Sequence, residues 1–184
     1  MQYHNYYVTS PSFTPDGKKV TFLSSENNSQ KYIYDLWSID PATFEKIRLS
    51  DFDRVGFYTD SKYDWSMSGE EIYLDGKFDL NEPTDIYKFS LSAKTLTAVI
   101  QSPWNERTPA LSPDNTKLAF ISDRSGEDEL WTYNFVSGTY VQITGESNYH
   151  FDSRYTNLQW LTNDQILITV FKNDKSTAVR IGVK

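Results

Sequence analysis

The sequence predicts an all-β fold, a β-propeller built from four sequence repeats. Three observations lead to this prediction. One motif recurs four times at intervals of 46 to 52 residues, each copy divides into short runs of alternating large and polar residues, and turn residues separate the runs. In addition, no segment combines helical spacing of apolar residues with helix caps over ten or more positions.

The third repeat shows the pattern most clearly. Residues 107–144 contain four alternating runs, separated by turn residues at 112–115, 123–126 and 137–138. Proline presets φ, and Asx side chains hydrogen-bond to nearby backbone, so these separators favour turns for a physical reason. Four strands in roughly forty residues is the size of one propeller blade.

The repeats align at two positions. A first large residue recurs at Phe13, Trp65, Leu111 and Trp160. A second apolar pair follows in the first three repeats, each directly after an acidic residue; the pairs are Leu36-Trp37, Ile86-Tyr87 and Leu130-Trp131, after Asp35, Asp85 and Glu129. Both positions recur with matching spacing along the chain, which argues against a chance similarity between the repeats. We therefore expect one domain over residues 1–184, with repeats at about 8–50, 58–100, 106–144 and 155–184.

The motif also resembles a known repeat. The pattern S-P-D-x-x-x-L-A-F-x-S-D-R-S-G-x-x-x-L-W, from Ser112 to Trp131, resembles the TolB-type (WD40-like) propeller repeat. That repeat also occurs in the propeller domains of prolyl-oligopeptidase-type peptidases. The resemblance covers nearly the whole chain, closely in the third repeat and loosely in the fourth. It implies the propeller fold strongly and a function only weakly, because propellers support many unrelated activities.

The last repeat has room for three strands only. A missing outer strand leaves three alternatives: a closed ring of four blades with a thin last blade, a segment of a larger propeller, or two chains joined edge to edge. Blade two is expected to have a long loop at 75–83 between its second and third strands. The strands expected in blades one and four are 10–13, 19–24, 32–40, 44–49, 156–161, 165–171 and 176–183.

Charge and composition restrict the partners. The net charge is −7 and no run of Lys and Arg stands out, which argues against a nucleic-acid partner because phosphate contacts need clustered positive charge. The absence of cysteine excludes disulfides, zinc–thiolate sites and a cysteine nucleophile. No apolar run is long enough for a membrane span. The first ten residues lack signal-peptide features, so we expect a cytoplasmic protein, or a periplasmic one if a signal peptide was removed.

No catalytic, metal or cofactor site is expected. The nucleophile-elbow pattern G-x-S-x-G is absent, and the resemblance implies that any peptidase domain lies outside this chain. Only His4 and His150 could serve a histidine-rich metal centre, and the acidic loop at 75–83 lacks EF-hand spacing. Four acids could lie near strand ends, as in propeller glycosidases, but nothing selects a pair among them. They are Asp60, Asp64, Glu106 and Asp152.

The loops that link blades should meet the loops between second and third strands on one rim. Tyr, Trp and Arg dominate binding hot spots, and loops on a rigid scaffold often carry function. Two alternatives stay open: in one, Trp104 and Tyr155 pack between blades, and in the other, Arg124 pairs with a neighbouring acid. The predicted binding residues are Tyr58, Asp60, Trp104, Arg107, Arg124, His150, Arg154 and Tyr155.

The predicted function is non-catalytic binding of a protein or peptide on this rim. One alternative is that the chain forms part of the gating propeller of a prolyl-oligopeptidase-like peptidase. A second is a carbohydrate-active propeller that uses its aromatic loops. Oligomerisation through open blade edges is also expected to be possible.

Overall fold

Four antiparallel sheets, arranged as the four blades of a propeller, make up the fold. The computed structural model describes residues 7–26, 33–52, 61–77, 79, 81–145, 149–152, 155–172 and 175–183. None of these residues is helical. In each blade the strands follow one another in chain order, so every blade is a simple meander. The all-β propeller predicted from the repeats is thereby confirmed.

Within the described residues, the first three blades have four strands each, and the fourth has three. Blade one contains β1 (Val8–Phe13), β2 (Val20–Ser24), β3 (Asp35–Ile39) and β4 (Lys46–Arg48). Blade two contains β5 (Tyr63–Trp65), β6 (Glu71–Gly76), β7 (Asp85–Ser90) and β8 (Thr95–Ile100). Blade three contains β9 (Glu106–Leu111), β10 (Lys117–Ser122), β11 (Glu129–Asn134) and β12 (Thr139–Gln142). Blade four contains β13 (Leu158–Thr162), β14 (Gln165–Lys172) and β15 (Lys175–Gly182).

The turn between the first two strands has the same construction in blades one and three. In blade three the Ser112 hydroxyl donates to Asp114 at 2.7 Å and accepts the Lys117 amide at 2.9 Å. In blade one Thr14 donates to Asp16 at 2.6 Å and accepts the Lys19 amide at 3.1 Å. These hydroxyl bonds are the main reason why the pKa values of both aspartates are lowered. The turn signal in the sequence therefore has a local cause.

Pairs of neighbouring blades share the hydrophobic core. Alternation along each strand sends large side chains to both faces of the sheet, and each face packs on the next blade. One cluster joins blades one and two, a second joins blades two and three, and a third joins blades three and four. Among the described residues, no core cluster joins blade four to blade one.

Carboxylates and hydroxyls at one repeated position hold the third and fourth strands together. Asp35 accepts the Ser50 hydroxyl at 3.1 Å, and Ser50 in turn accepts the Leu36 amide at 2.8 Å. In blade three Thr144 donates to Glu129 and accepts the Leu130 amide at 2.8 Å. The acid that recurs in the sequence thus supports the strand ends in both blades.

Two expectations need correction in detail. Strand β1 begins at Val8 rather than at residue 10, because a bulge with Ser10 at φ 52° adds residues to it. The bulge recurs in β9, where Thr108 has φ 55°. Asp75 was expected in an acidic loop but belongs to β6 and is only 3% exposed. It accepts the amides of Lys62 at 2.9 Å and Thr108 at 2.7 Å, so it connects two blades.

Two equivalent tryptophans allow a test of the interface between blades. Trp160 and Trp65 occupy the same position and are 7% and 9% exposed, but their indole N–H groups differ. Trp160 donates to the Ala110 carbonyl of the preceding blade at 2.9 Å, whereas the Trp65 N–H has no partner among the described residues. We expect Trp160→Phe to lower the free energy of unfolding by at least about 1 kcal/mol more than Trp65→Phe.

Urea denaturation of the two variants measures this difference in the free energy of unfolding. Each variant is the control for the other, because both replace an indole by a phenyl ring. Equal losses of stability would show that the hydrogen bond between blades three and four contributes nothing.

Candidate binding face

Five of the eight predicted binding residues lie on or near one rim of the propeller. Trp104 lies between β8 and β9, Arg107 in β9, Arg124 between β10 and β11, and both His150 and Tyr155 between β12 and β13. All five are at the ends of blades where linking segments meet the loops between second and third strands. Tyr58, Asp60 and Arg154 lie outside the residues that the structure describes, as does His4.

Trp104 is held in a segment with little freedom to move. The amide of Trp104 donates to the Ser102 hydroxyl at 3.2 Å, and Ser102 donates to Glu106 at 2.6 Å. On its other side, Asn105 donates its backbone and side-chain N–H groups to Asp123 at 2.9 and 2.7 Å. The indole remains 45% exposed. The structure therefore presents a large aromatic side chain to solvent on a fixed backbone.

Arg124 lies inside the blade rather than on the rim surface, and its side chain is only 11% exposed. Its Nη2 donates to Oε1 of Glu106 at 2.7 Å. Its guanidinium carbon lies 4.3 Å from the ring centre of Tyr140, and 5.2 Å from those of Phe120 and Trp131. These contacts match the pairing alternative for Arg124, and they leave little of its charge for a ligand.

Arg107 forms an ion pair with Asp128 that crosses from β9 to the loop before β11. Both side chains are partly exposed. Burial raises the pKa of Asp128, and the positive charge of Arg107 works against this rise. The ion pair therefore lies at the rim with both side chains partly shielded from solvent.

A small acidic cavity lies beside this ion pair. It has a volume of 210 Å³ and lies between the β10–β11 loop and the segment that leads to blade four. The backbone of His150 is fixed by two hydrogen bonds with Phe171, at 3.0 and 2.9 Å. Three consecutive acidic residues line the cavity, and one of them, Asp128, is paired with Arg107. The lining residues are Glu127, Asp128, Glu129, Tyr149, His150 and Phe151.

Tyr155 is the second exposed aromatic residue of the rim. It is 55% exposed, and its ring lies 5.6 Å from that of Phe171 in a tilted arrangement. Its amide donates to the Asp152 carbonyl at 2.9 Å in a tight turn. Neither Trp104 nor Tyr155 is buried between blades, which was the alternative for both.

Asp64 and Glu106, two of the four acids considered as catalytic carboxylates, are held in structural hydrogen bonds. Asp64 accepts the amides of Trp65 at 2.9 Å and Leu111 at 2.8 Å, and burial is the main reason why its pKa is raised. Glu106 is fully buried and holds both Ser102 and Arg124. Within the described part of the chain, no group of three or more His, Asp or Glu residues is arranged to hold a metal ion. No helix suited to crossing a membrane occurs there either.

Sequence reasoning missed the acids that support the rim. Asp123 was identified only as part of the turn at 123–126, but its side chain fixes the segment that carries Trp104. Asp128 had no assigned role, although it pairs with Arg107. Both partnerships join residues about twenty positions apart, and only the placement of strands could reveal them. The only sequence signal is that both acids belong to the loop in front of the repeated acid Glu129.

The ion pair between Arg107 and Asp128 can be tested through the pKa of Asp128. Replacing Arg107 by glutamine removes the positive charge that lowers the pKa of Asp128, so we expect that pKa to rise further above its ordinary value. Carboxyl-carbon NMR titration of Asp128 measures the change. The control is Lys117→Gln, which removes a charge at the opposite end of β10. An unchanged titration of Asp128 in Arg107→Gln would contradict the ion pair.

Comparison with known proteins supports the fold. The solved TolB from Acinetobacter baumannii is 16% identical with a TM-score of 0.71, over 96% of this chain and 41% of that one. A putative TolB from Agrobacterium tumefaciens is 14% identical with a TM-score of 0.72, over 94% and 60%. A puromycin-hydrolyzing peptidase from Mycobacterium tuberculosis is 15% identical with a TM-score of 0.64, over 97% and 27%.

These similarities are at the level of fold, and the chain spans less than two thirds of each of these proteins. A family model described as the TolB beta propeller domain matches residues 1–183. The match confirms the resemblance inferred from the motif at residues 112–131. The chain belongs to the TolB β-propeller family.

Proposed function

We propose that the chain is a non-catalytic binding module that takes a protein or peptide partner on the rim around Trp104. The supporting observation is an indole that is 45% exposed on a segment fixed by hydrogen bonds to Ser102 and Asp123. Binding to such a segment loses little conformational entropy, because the loop is already ordered before the partner arrives. Tryptophan is also among the residues that most often supply the binding energy of an interface.

The acidic cavity extends the proposed surface toward blade four. The β10–β11 loop contacts the Trp104 segment through Asp123 and forms one wall of the cavity through Glu127 and Asp128. A partner segment lying across this loop would place an apolar side chain on the indole and a basic side chain at the carboxylates. Opposite charges across an interface favour association and orient the partner. The overall charge of −7 also favours a basic partner.

The other binding residues predicted from the sequence contribute to the proposed function in different ways. Tyr155 and His150 belong to the same surface on the side of blade four. Arg124 acts through Glu106, which also accepts the hydroxyl of Ser102, the group that holds the Trp104 amide. Tyr58, Asp60 and Arg154 stay predictions from the repeat alignment. We likewise propose that residues 1–184 form a single domain.

A peptidase propeller is the second candidate function. It is favoured by the similarity to the puromycin-hydrolyzing peptidase, of which the chain covers 27%. In that case the rim would face a catalytic domain outside this chain, and the partner would be that domain. The carbohydrate alternative is supported only by the exposed aromatic rings, which serve a peptide equally well.

Selection from a peptide library on the immobilised chain tests the first candidate. We expect selected peptides to contain an aromatic or aliphatic residue near a Lys or Arg. Trp104→Ala should weaken their binding at least about 30-fold, which corresponds to a hot-spot loss of about 2 kcal/mol. Titration calorimetry with one selected peptide measures the change.

The matched control is Phe44→Ala, because Phe44 is 76% exposed but lies in the β3–β4 turn on the opposite rim. We expect that variant to bind the peptide with unchanged affinity. Equal affinity of the wild type and Trp104→Ala would place the binding surface elsewhere. Hydrolysis of a chromogenic peptide or glycoside by the purified chain would overturn the non-catalytic proposal.

A further inference from the structure

A cavity of 480 Å³ lies between blades one and two, on the rim opposite to Trp104. It is bordered by the β1–β2 turn, which includes Pro15, and by the β5–β6 turn, which includes Gly69. These turns approach each other closely, because a Cβ on Gly69 would lie 3.9 Å from the ring of Pro15. In addition, Lys94 of blade two donates to the carbonyl of Leu49 in blade one at 2.9 Å. The cavity thus lies between parts of two blades that are already in contact, and its volume is in the range of small-molecule sites.

The interface between blades three and four shows how the corresponding polar groups find partners within the protein. Trp160 of blade four donates its indole N–H to the Ala110 carbonyl of blade three at 2.9 Å. Lys117 of blade three donates its ammonium group to the Asn163 carbonyl of blade four at 3.2 Å. Both hydrogen bonds cross from one blade to the next, so a tryptophan and a lysine are satisfied there without any ligand.

Blades one and two have the same tryptophan and the same lysine, but neither has such a partner. Lys19 corresponds to Lys117, since each directly precedes the residue that pairs with the first large residue of its blade. Its ammonium group forms no ion pair or hydrogen bond with a described residue. Trp65 is 9% exposed and Ser38 is 3% exposed, and within the same part of the chain neither the indole N–H nor the hydroxyl has a hydrogen-bond partner. All three side chains line the cavity.

A difference between two side chains accounts for the unpartnered N–H of Trp65. The Ser12 carbonyl of blade one corresponds by strand register to the Ala110 carbonyl of blade three. It already accepts the hydroxyl of Thr21 at 3.2 Å. The residue at this position in blade three is Ala119, which has no hydroxyl. The Ala110 carbonyl therefore remains available to the indole of the next blade, whereas the Ser12 carbonyl is engaged within its own sheet.

One carboxylate can accept from two of the donors that line the cavity. Ser38 pairs across the sheet with Thr21, and Lys19 precedes Thr21 by two residues. Lys19 and Ser38 are therefore diagonal neighbours on one face of blade one, within reach of a long side chain. A carboxylate has several acceptor positions, so it can bind the ammonium and the hydroxyl together. Asp16 also lines the cavity, but it lies 3.7 Å from the Lys18 ammonium, which offsets its charge.

The remaining part of the lining is largely apolar. Leu49 and Leu91 pack against the core cluster that blades one and two share, and Trp65 belongs to that cluster. Met67 also lines the cavity and is 65% exposed, so it lies toward solvent. A ligand that fills this space therefore needs an apolar body beside its charged group.

We propose that this cavity binds a small organic carboxylate with an apolar body, at a site separate from the rim around Trp104. The carboxylate accepts from Lys19 and Ser38, and the apolar body covers Leu49 and Leu91. The ligand takes the place that the Lys117 side chain has between blades three and four. A free acid and the terminal carboxylate of a peptide with an apolar last residue share this chemistry.

NMR titration with hydrocinnamate tests the proposal. The reporter is the indole N–H resonance of Trp65, which is assigned by its loss in Trp65→Phe. We expect this resonance to shift with a dissociation constant of about 1 to 10 mM, the affinity of a fragment-sized ligand. Lys19→Gln should weaken binding at least about fivefold, because a hydrogen bond to a charged group is lost. Lys19 is partly exposed, so this variant should keep its circular dichroism.

The matched control is Lys117→Gln, which removes the corresponding lysine of blade three and should leave the affinity for hydrocinnamate unchanged. Trp104→Ala should also bind hydrocinnamate as the wild type does, which separates this site from the proposed peptide surface. The uncharged amide of hydrocinnamate should bind at least about tenfold more weakly than the acid.

A short peptide that ends in phenylalanine distinguishes the two sources of the carboxylate. Tighter binding of this peptide than of hydrocinnamate, lost on amidation of its C-terminus, would identify a chain terminus as the ligand. Weaker binding of the peptide would identify a free acid. Equal affinity for hydrocinnamate and its amide, or wild-type affinity in Lys19→Gln, would overturn the carboxylate site. So would the absence of any shift at about ten times the expected dissociation constant.

Discussion

The packing of one sheet face on the next determines this structure. A single blade is a four-stranded meander with apolar residues on both faces, so neither face can remain in water without loss of hydrophobic stabilisation. Each of the three core clusters therefore includes residues from two blades. The repeat of about fifty residues exists because each blade presents the same two faces to its neighbours. The order of blades and the position of the rim loops follow from this requirement.

Buried carboxylates complete what apolar packing begins. At the ends of the blades, some backbone N–H groups find no carbonyl acceptor in a neighbouring strand. Each of these donors must find an acceptor elsewhere. Asp75 accepts two such amides, Asp64 accepts two, and Asp35 accepts the amide of Phe52 at 2.8 Å. These bonds connect linking segments to sheets and fix the loops of the rim. The segment that carries Trp104 is held in a similar way, because Asp123 accepts the backbone and side-chain N–H groups of Asn105.

The sequence was sufficient for the architecture because its signals are local. Alternation identifies strands, Ser-Pro-Asp identifies the turn, and the recurring position of Trp65 and Trp160 gives the period. The partners of charged residues were not predictable in this way. Arg107 and Arg124 were both selected as binding residues, yet one pairs with Asp128 at the surface and the other is enclosed by three aromatic rings. Only three-dimensional neighbours separate these two cases. The β1 bulge was missed because its cause, a residue at φ 52°, leaves no compositional trace.

Chain polarity brings the loops of successive blades to one rim. The strands of every blade follow one another in chain order, so its linking segment and its loop between second and third strands always lie on the same side. The segment before β9, the β10–β11 loop and the segment before β13 therefore meet on the rim that carries Trp104 and the acidic cavity. The proposed binding surface is thus a consequence of the meander itself, because each blade adds two connections to the same rim.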